Sequence, residues 1–165
     1  MKLFNRELGT KEIVYIGLTA AVYTVATVLI APLSYGAVQF RFSEILNLLV
    51  FIDPIYAPGL VLGCFIANLF SPLGWVDVVF GTLGTLLSVI MIARSKNLFI
   101  ASLWPTIFSV IVGLELHFVQ KLPFLITTLT VMLGEFVVVT LIGYPVFNAI
   151  MRNRALMNIL KLKKD

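Results

Sequence analysis

From Ile13 to Leu33 the chain carries no charged side chain, and that stretch alone restricts what the protein can fold into. A helix needs about 20 mostly apolar residues to cross the hydrocarbon core of a bilayer. Comparable apolar runs recur along the rest of the 165 residues, of which 60% are hydrophobic and 12% charged. A soluble domain carries roughly twice that share of charge. Backbone N–H and C=O groups in lipid must be satisfied internally, so runs of this kind form helices. The run is too long for the apolar part of a secretion signal, and no A-x-A cleavage pattern follows it. It reads as a retained first helix.

Pro and Gly cut the chain into six apolar spans, at roughly 10–33, 36–52, 54–70, 76–93, 98–116 and 123–151. Proline cannot donate the helical hydrogen bond and disfavours helix just before itself. The expectation is an all-α integral membrane bundle of six transmembrane helices, one membrane domain over 1–165. Ten of the twelve Lys and Arg fall in three clusters: Lys2, Arg6 and Lys11; Arg94 and Lys96; and the tail from Arg152 to Lys164. Cytoplasmic loops carry such excesses. Six crossings put all three clusters on one side, with both termini cytoplasmic and only Arg41 and Lys121 outside. The net charge of +4 therefore orients the chain in a membrane and does not point to nucleic acid. Cys64 stands alone, which excludes a disulfide framework and a cysteine metal site.

Small residues recur at helical spacing. Gly17, Ala20, Ala21, Thr24, Val28 and Ala31 share a face of the first helix, Gly59, Gly63 and Ala67 one of the third, and Gly81, Gly84, Thr85 and Ser88 follow Asp77 in the fourth. Helices in lipid associate by close packing, which small side chains permit. The last two stripes fit packing within one bundle. The first, on a terminal helix, fits either that or the docking of a partner protein.

The segment "GAVQFRFSEILNLLVFIDP", Gly36 to Pro54, places Gln39, Arg41, Ser43 and Glu44 within a hydrophobic run. Three more carboxylates lie in the spans: Asp77, Glu115 and, near mid-bilayer, Glu135. Placing one there costs at least about 2.5–3.5 kcal/mol. Each has a structural alternative. Asp53 before Pro54 reads as a helix N-cap, and Asp77 can cap the fourth span. Glu44 can pair with Arg41, and Glu135 with Thr128. Glu115 and His117, two apart, reach one pocket only if the helix ends between them; His117 otherwise reads as a loop-end residue. Taken together, the carboxylates with Gln39, Arg41, Asn68 and His117, near Trp75 and Phe80, have the composition of a small-molecule pocket. Surplus carboxylate favours a ligand rich in N–H donors or positively charged. A guanine-like base fits: two adjacent N–H groups on one carboxylate, a carbonyl toward Arg41, Gln39 or Asn68, and a face on an aromatic ring.

No G-x-x-x-x-G-K-[ST] loop, H-E-x-x-H or G-x-S-x-G occurs, so ATP hydrolysis and the common hydrolase chemistries have no footing in this chain. No cofactor or metal is expected. The runs "AVQFRFSEILNLLVF", "APGLVLGCFIANLFSPLGWVDVVFGTLGTLL", "VGLELHFV" and "LPFLITTLTVMLGE" resemble the QueT family of queuosine-precursor transporters, over about Gly17 to Pro145. The resemblance implies a multi-pass protein of the bacterial plasma membrane. It implies a substrate-binding S component of an energy-coupling factor (ECF) transporter, capturing a 7-deazaguanine base outside the cell. Its partners would be a transmembrane coupling subunit and two ATPase subunits. The family's polar motif maps to Gln39, Arg41, Glu44, Asn68, Asp77, Glu115, His117 and Glu135. Its A-x-x-x-A docking motif maps to Gly17 and Ala21, with Ala20 and Thr24 as a second register. An S component for another vitamin or nucleobase, an intramembrane enzyme using Glu135 and Asp77 on lipid, and a ligand-free structural subunit remain alternatives.

Overall fold

The computed structural model describes residues 2–3, 6–35 and 39–162. A two-residue antiparallel pair, β1 (Lys2–Leu3) with β2 (Arg6–Glu7), precedes a series of helices. Among the described residues four helices are long and apolar enough to cross a membrane: α1 (Thr10–Leu29), α4 (Trp75–Arg94), α5 (Leu98–Gln120) and α6 (Phe124–Arg152). Between α1 and α4 lie two shorter apolar helices, α2 (Phe42–Ile52) and α3 (Pro54–Asn68). A basic helix, α7 (Arg154–Leu160), ends the described chain.

Local chemistry sets these limits. Glu12, in the first turn of α1, accepts from the Gly9 N–H at 3.0 Å. Helix α1 ends at Leu29, and Pro32 confines the residues beyond to one helical turn, Ala31–Ser34. The expected second span starts at Gly36, but positions 36–38 lie outside the described residues and Gln39 to Arg41 are not helical. Helix α2 therefore begins only at Phe42, with tight 3₁₀ turns to Leu48. Irregular backbone at membrane depth is tolerated where protein buries it or where it lines a cavity. Gln39 and Arg41 are both buried. Asp53 caps α3 as its place before Pro54 predicts, accepting from the Ile55 N–H at 3.1 Å. Its other oxygen accepts from the Leu162 N–H at 3.0 Å, and Tyr56 donates to the Leu160 carbonyl at 2.8 Å. The C-terminal segment is thereby folded back under the α2–α3 corner.

Helix α6 departs most from regularity. It is α-helical from Phe124 to Glu135, π-helical from Phe136 to Gly143, and α-helical again from Tyr144 to Arg152. π turns inside α-helices are frequent at functional sites, and here one begins directly after Glu135.

The small-residue stripes divide between packing and surface. A β-carbon on Gly59 would lie 2.5 Å from the Ile16 carbonyl oxygen, and one on Gly63 would lie 2.8 Å from that of Ala20. Helices α1 and α3 are thus in backbone contact. Around this seam Tyr23, Leu48, Leu60, Ile92 and Val138 form a core joining α1, α2, α3, α4 and α6. Gly17, by contrast, has nothing within 4 Å of its notional β-carbon. Gly59→Leu should therefore lower the melting temperature of the purified protein, at a cost of about 1–3 kcal/mol for overpacking. Gly17→Ala should not lower it, since the space is open and alanine is the better helix former. Equal melting temperatures for Gly59→Leu and the parent would contradict this seam.

Candidate functional site: a buried polar cavity

Non-helical residues Gln39–Arg41 pass against α6 at Gly134, where an added β-carbon would run into the Gln39 carbonyl oxygen. Only a glycine lets the two backbones come so close. This approach sets Gln39 and Arg41 beside Glu135. The phenol of Tyr35 donates to the Ala67 carbonyl at 2.6 Å, and the Arg41 guanidinium sits 5.5 Å from the centre of the Tyr35 ring. A cation over an aromatic face at that distance is held by the ring quadrupole.

Gln39, Arg41, Glu44 and Glu135 line one cavity, closed by Gly81, Thr85 and Ser88 of α4 and by Phe108 and Ser109 of α5. The cavity has a volume of about 20 Å³. That is room for one or two waters, so a bicyclic base enters only as the surrounding side chains part. Pro105 lies inside α5, and a helical break at Ser109 follows it. Proline removes one hydrogen bond of the ladder and bends a helix, and this bend is where Phe108 and Ser109 reach the cavity.

Glu44 is the most heavily held of the carboxylates. Tyr23 of α1 donates to its Oε1 and Asn47 of α2 to its Oε2, both by very short bonds. The Thr85 hydroxyl lies 3.2 Å from Oε1 and equally 3.2 Å from Cys64 Sγ. A carboxylate is the stronger acceptor, so the hydroxyl proton goes to Glu44. Arg41 is held loosely. Its Nη1 lies 3.9 Å from Cys64 Sγ, while Nε and Nη2 have no partner. The Arg41–Glu44 pairing that their spacing allows is not formed among the described residues. Nor is a Thr128–Glu135 bond: both Thr128 Oγ1 and Glu135 Oε2 are buried without a partner.

Three more of the expected polar residues, Asn68, Asp77 and Glu115, are fully buried beside this cavity but do not line it. Asn68 donates to the Asp77 carbonyl at 3.1 Å. Asn68 Oδ1, Asp77 Oδ1 and both Glu115 oxygens lack donors. Asp77 makes no capping hydrogen bond, and the N-cap of α4 is instead Gly74, whose φ of 61° suits glycine. Four buried carboxylates thus share a region with one arginine. His117 is elsewhere. Because α5 is continuous from Val110 to Gln120, His117 points away from Glu115; its Nδ1 meets the Leu122 carbonyl at 2.7 Å, and Phe118 and Phe124 flank its ring. Trp75 and Phe80 are exposed at 73% and 38%, so the aromatic ring at the cavity is Phe108. On α1, Gly17 and Ala21 lie on the exposed face. Ala20 is buried, and Thr24 donates to the Gly63 carbonyl at 3.0 Å. Of the two docking registers, only Gly17 and Ala21 face outward.

A membrane bundle enclosing a polar cavity with unsatisfied acceptors and an under-paired arginine is built to take a polar small molecule out of water. The chain belongs to the QueT transporter family, whose profile matches residues 13–152. A curated relative, the queuosine precursor transporter QueT of Lactococcus lactis subsp. cremoris (strain MG1363), is 37% identical over 144 residues, covering 77% of this chain and 85% of the relative. No solved structure matches it. Membership of a transporter family removes the lipid-enzyme alternative and makes this a multi-pass membrane transport protein.

Proposed function

We propose that this chain is the S component of an ECF-type importer and captures a 7-deazaguanine queuosine precursor, preferentially the aminomethyl form. The observation that carries the reading is the cavity between Arg41, Glu44 and Glu135. Carboxylate acceptors there suit the N–H edge of the base, Arg41 suits its carbonyl, and Phe108 offers a face for stacking. The excess of carboxylate over arginine favours a ligand that brings positive charge, as the aminomethyl base does and the nitrile does not. The name of the Lactococcus lactis relative supports the ligand class.

In this reading the chain crosses the membrane six times. Helix α3, 15 residues long from Pro54 to Asn68, reaches only about 22 Å at 1.5 Å per residue; α2 and α3 make their crossings with the non-helical segments at their outer ends. Both termini and Arg94 with Lys96 then lie in the cytoplasm. The exposed Gly17–Ala21 face of α1 docks the transmembrane coupling subunit, which connects it to two ATPase subunits. Of α1's apolar stretch 22% is buried, against 44% in each of the other long helices, and that leaves α1 a surface to offer.

Calorimetry of the purified chain against aminomethyl- and nitrile-substituted 7-deazaguanine and a panel of vitamins tests the ligand. The aminomethyl base should bind at least about tenfold more tightly than the nitrile, a difference of about 1.4 kcal/mol. Tighter binding of the nitrile would refute the charge argument. Binding only of a vitamin would refute the ligand class.

A further inference from the structure

Acceptor positions around the cavity can be counted. An ionised carboxylate has about four lone-pair sites. On Glu44, Tyr23 and Thr85 take two on Oε1, and Asn47 takes one on Oε2. One site is left. Two adjacent N–H groups of a guanine-type edge need both oxygens of one carboxylate, so Glu44 cannot receive them without losing a donor of its own. Glu135 is different: it is buried, its Oε2 has no donor, and it lines the same cavity.

We infer that Glu135 is the residue that reads the paired N–H edge of the base, and that Tyr23, Asn47 and Thr85 are positioning residues that hold Glu44 as a fixed wall. The inference rests on the reading that the cavity takes a 7-deazaguanine base. The helix supports the assignment. Glu135 stands at the junction of α-helix and π-helix, where the backbone is re-aimed, and Gly134 beside it seats the Gln39 backbone. Arg41, with two unpartnered guanidinium nitrogens, faces the same space and balances the carboxylate while leaving donors for the carbonyl of the base. Tyr23 has a second consequence. It lies on the buried face of α1, two residues beyond Ala21, so the wall of the site is tied to the helix that carries the exposed Gly17–Ala21 face.

The test compares 7-deazaguanine with 7-deazahypoxanthine, which lacks only the exocyclic amine. Binding of each to the full chain in lipid nanodiscs is measured for the parent, Glu135→Gln, Glu135→Asp, Glu44→Gln and Tyr23→Phe. The parent should prefer the base with the amine by at least about tenfold, the usual worth of a hydrogen bond to a charged group. Glu135→Gln should reduce that preference to below about threefold, because an amide oxygen and an amide NH₂ cannot both accept. Glu135→Asp, which keeps the charge but shortens the reach, should also reduce it and serves if the amide variant does not fold. Glu44→Gln and Tyr23→Phe should weaken both bases together and keep the ratio; Tyr23→Phe serves if Glu44→Gln does not fold. A preserved ratio in the Glu135 variants, or a ratio lost in Glu44→Gln, would overturn the assignment while leaving the ligand class standing. A parent that binds both bases equally would also overturn it. A parent that binds neither would overturn the ligand class and the assignment together.

Discussion

Gly134→Ala is expected to abolish ligand binding and to destabilise the protein, although it adds a single methyl group in a helix. The added carbon would run into the Gln39 carbonyl oxygen and lie 3.0 Å from its carbonyl carbon. Side-chain rotation cannot relieve this clash, because the opposing atoms are backbone. Either α6 shifts or the Gln39–Arg41 segment leaves its seat, and both movements displace Arg41 from Glu135. Overpacking ordinarily costs about 1–3 kcal/mol, and a backbone clash should lie at or above the top of that range. Binding should fall below detection, with a clear drop in melting temperature. A Gly134→Ala protein that binds within about threefold of the parent would show that the segment does not depend on this contact. Alanine is the better helix former, so local propensity cannot account for the loss.

Arg41→Met should have the second large effect. Methionine keeps much of the length and apolar bulk of the side chain and removes its charge. Arg41 is buried at 4% exposure, and Glu44, Asp77, Glu115 and Glu135 are buried around it. Removing one partner of a buried charge set costs about 3–5 kcal/mol, because the remaining charges lose their compensation. Ligand affinity should fall at least about 100-fold, which corresponds to about 2.7 kcal/mol. Thermal denaturation and ligand binding of the two proteins in the same detergent measure both effects; an Arg41→Met protein as stable as the parent and binding within about threefold of it would mean that Arg41 does not serve the carboxylates.

How far these residues were legible from the chain alone varied with their chemistry. The helical membrane class followed from charge-free runs, and the Asp53 cap from a single dipeptide, because both depend on local rules. Gln39, Arg41, Glu44 and Glu135 stood out because charge and amide groups are costly in lipid, and they do line one cavity. The non-helical entry of Gln39 and Arg41 was not legible, since their apolar neighbours read as a continuing helix. Neither was the π segment after Glu135, whose Phe136–Gly143 sequence is as hydrophobic as any regular span. Tyr23 and Asn47 carry no sequence signal, and Thr85 reads only as part of a packing stripe, because a hydroxyl or amide on an apolar helix reveals its partner only when another helix brings that partner near. Phe108 was hidden among 13 phenylalanines. Trp75 and Phe80 drew attention by lying close in sequence to Asp77, but their helix turns both toward the surface. The juxtaposition of Gly134 and Glu135 was the one available sign of a close backbone approach beside a functional carboxylate.

The most direct measurement is a structure of the full chain with aminomethyl-7-deazaguanine bound. A planar base should be seated between Arg41 and Glu135, stacked near Phe108, with Glu44 still bonded to Tyr23 and Asn47. Other sizeable openings among the described residues are the apolar groove between α3 and α4, lined by Val61, Phe65, Leu86 and Val89, and a pocket lined by Pro32, Tyr35, Phe70 and Pro72. A base lodged in either, or one seated beside His117, would rule out this site.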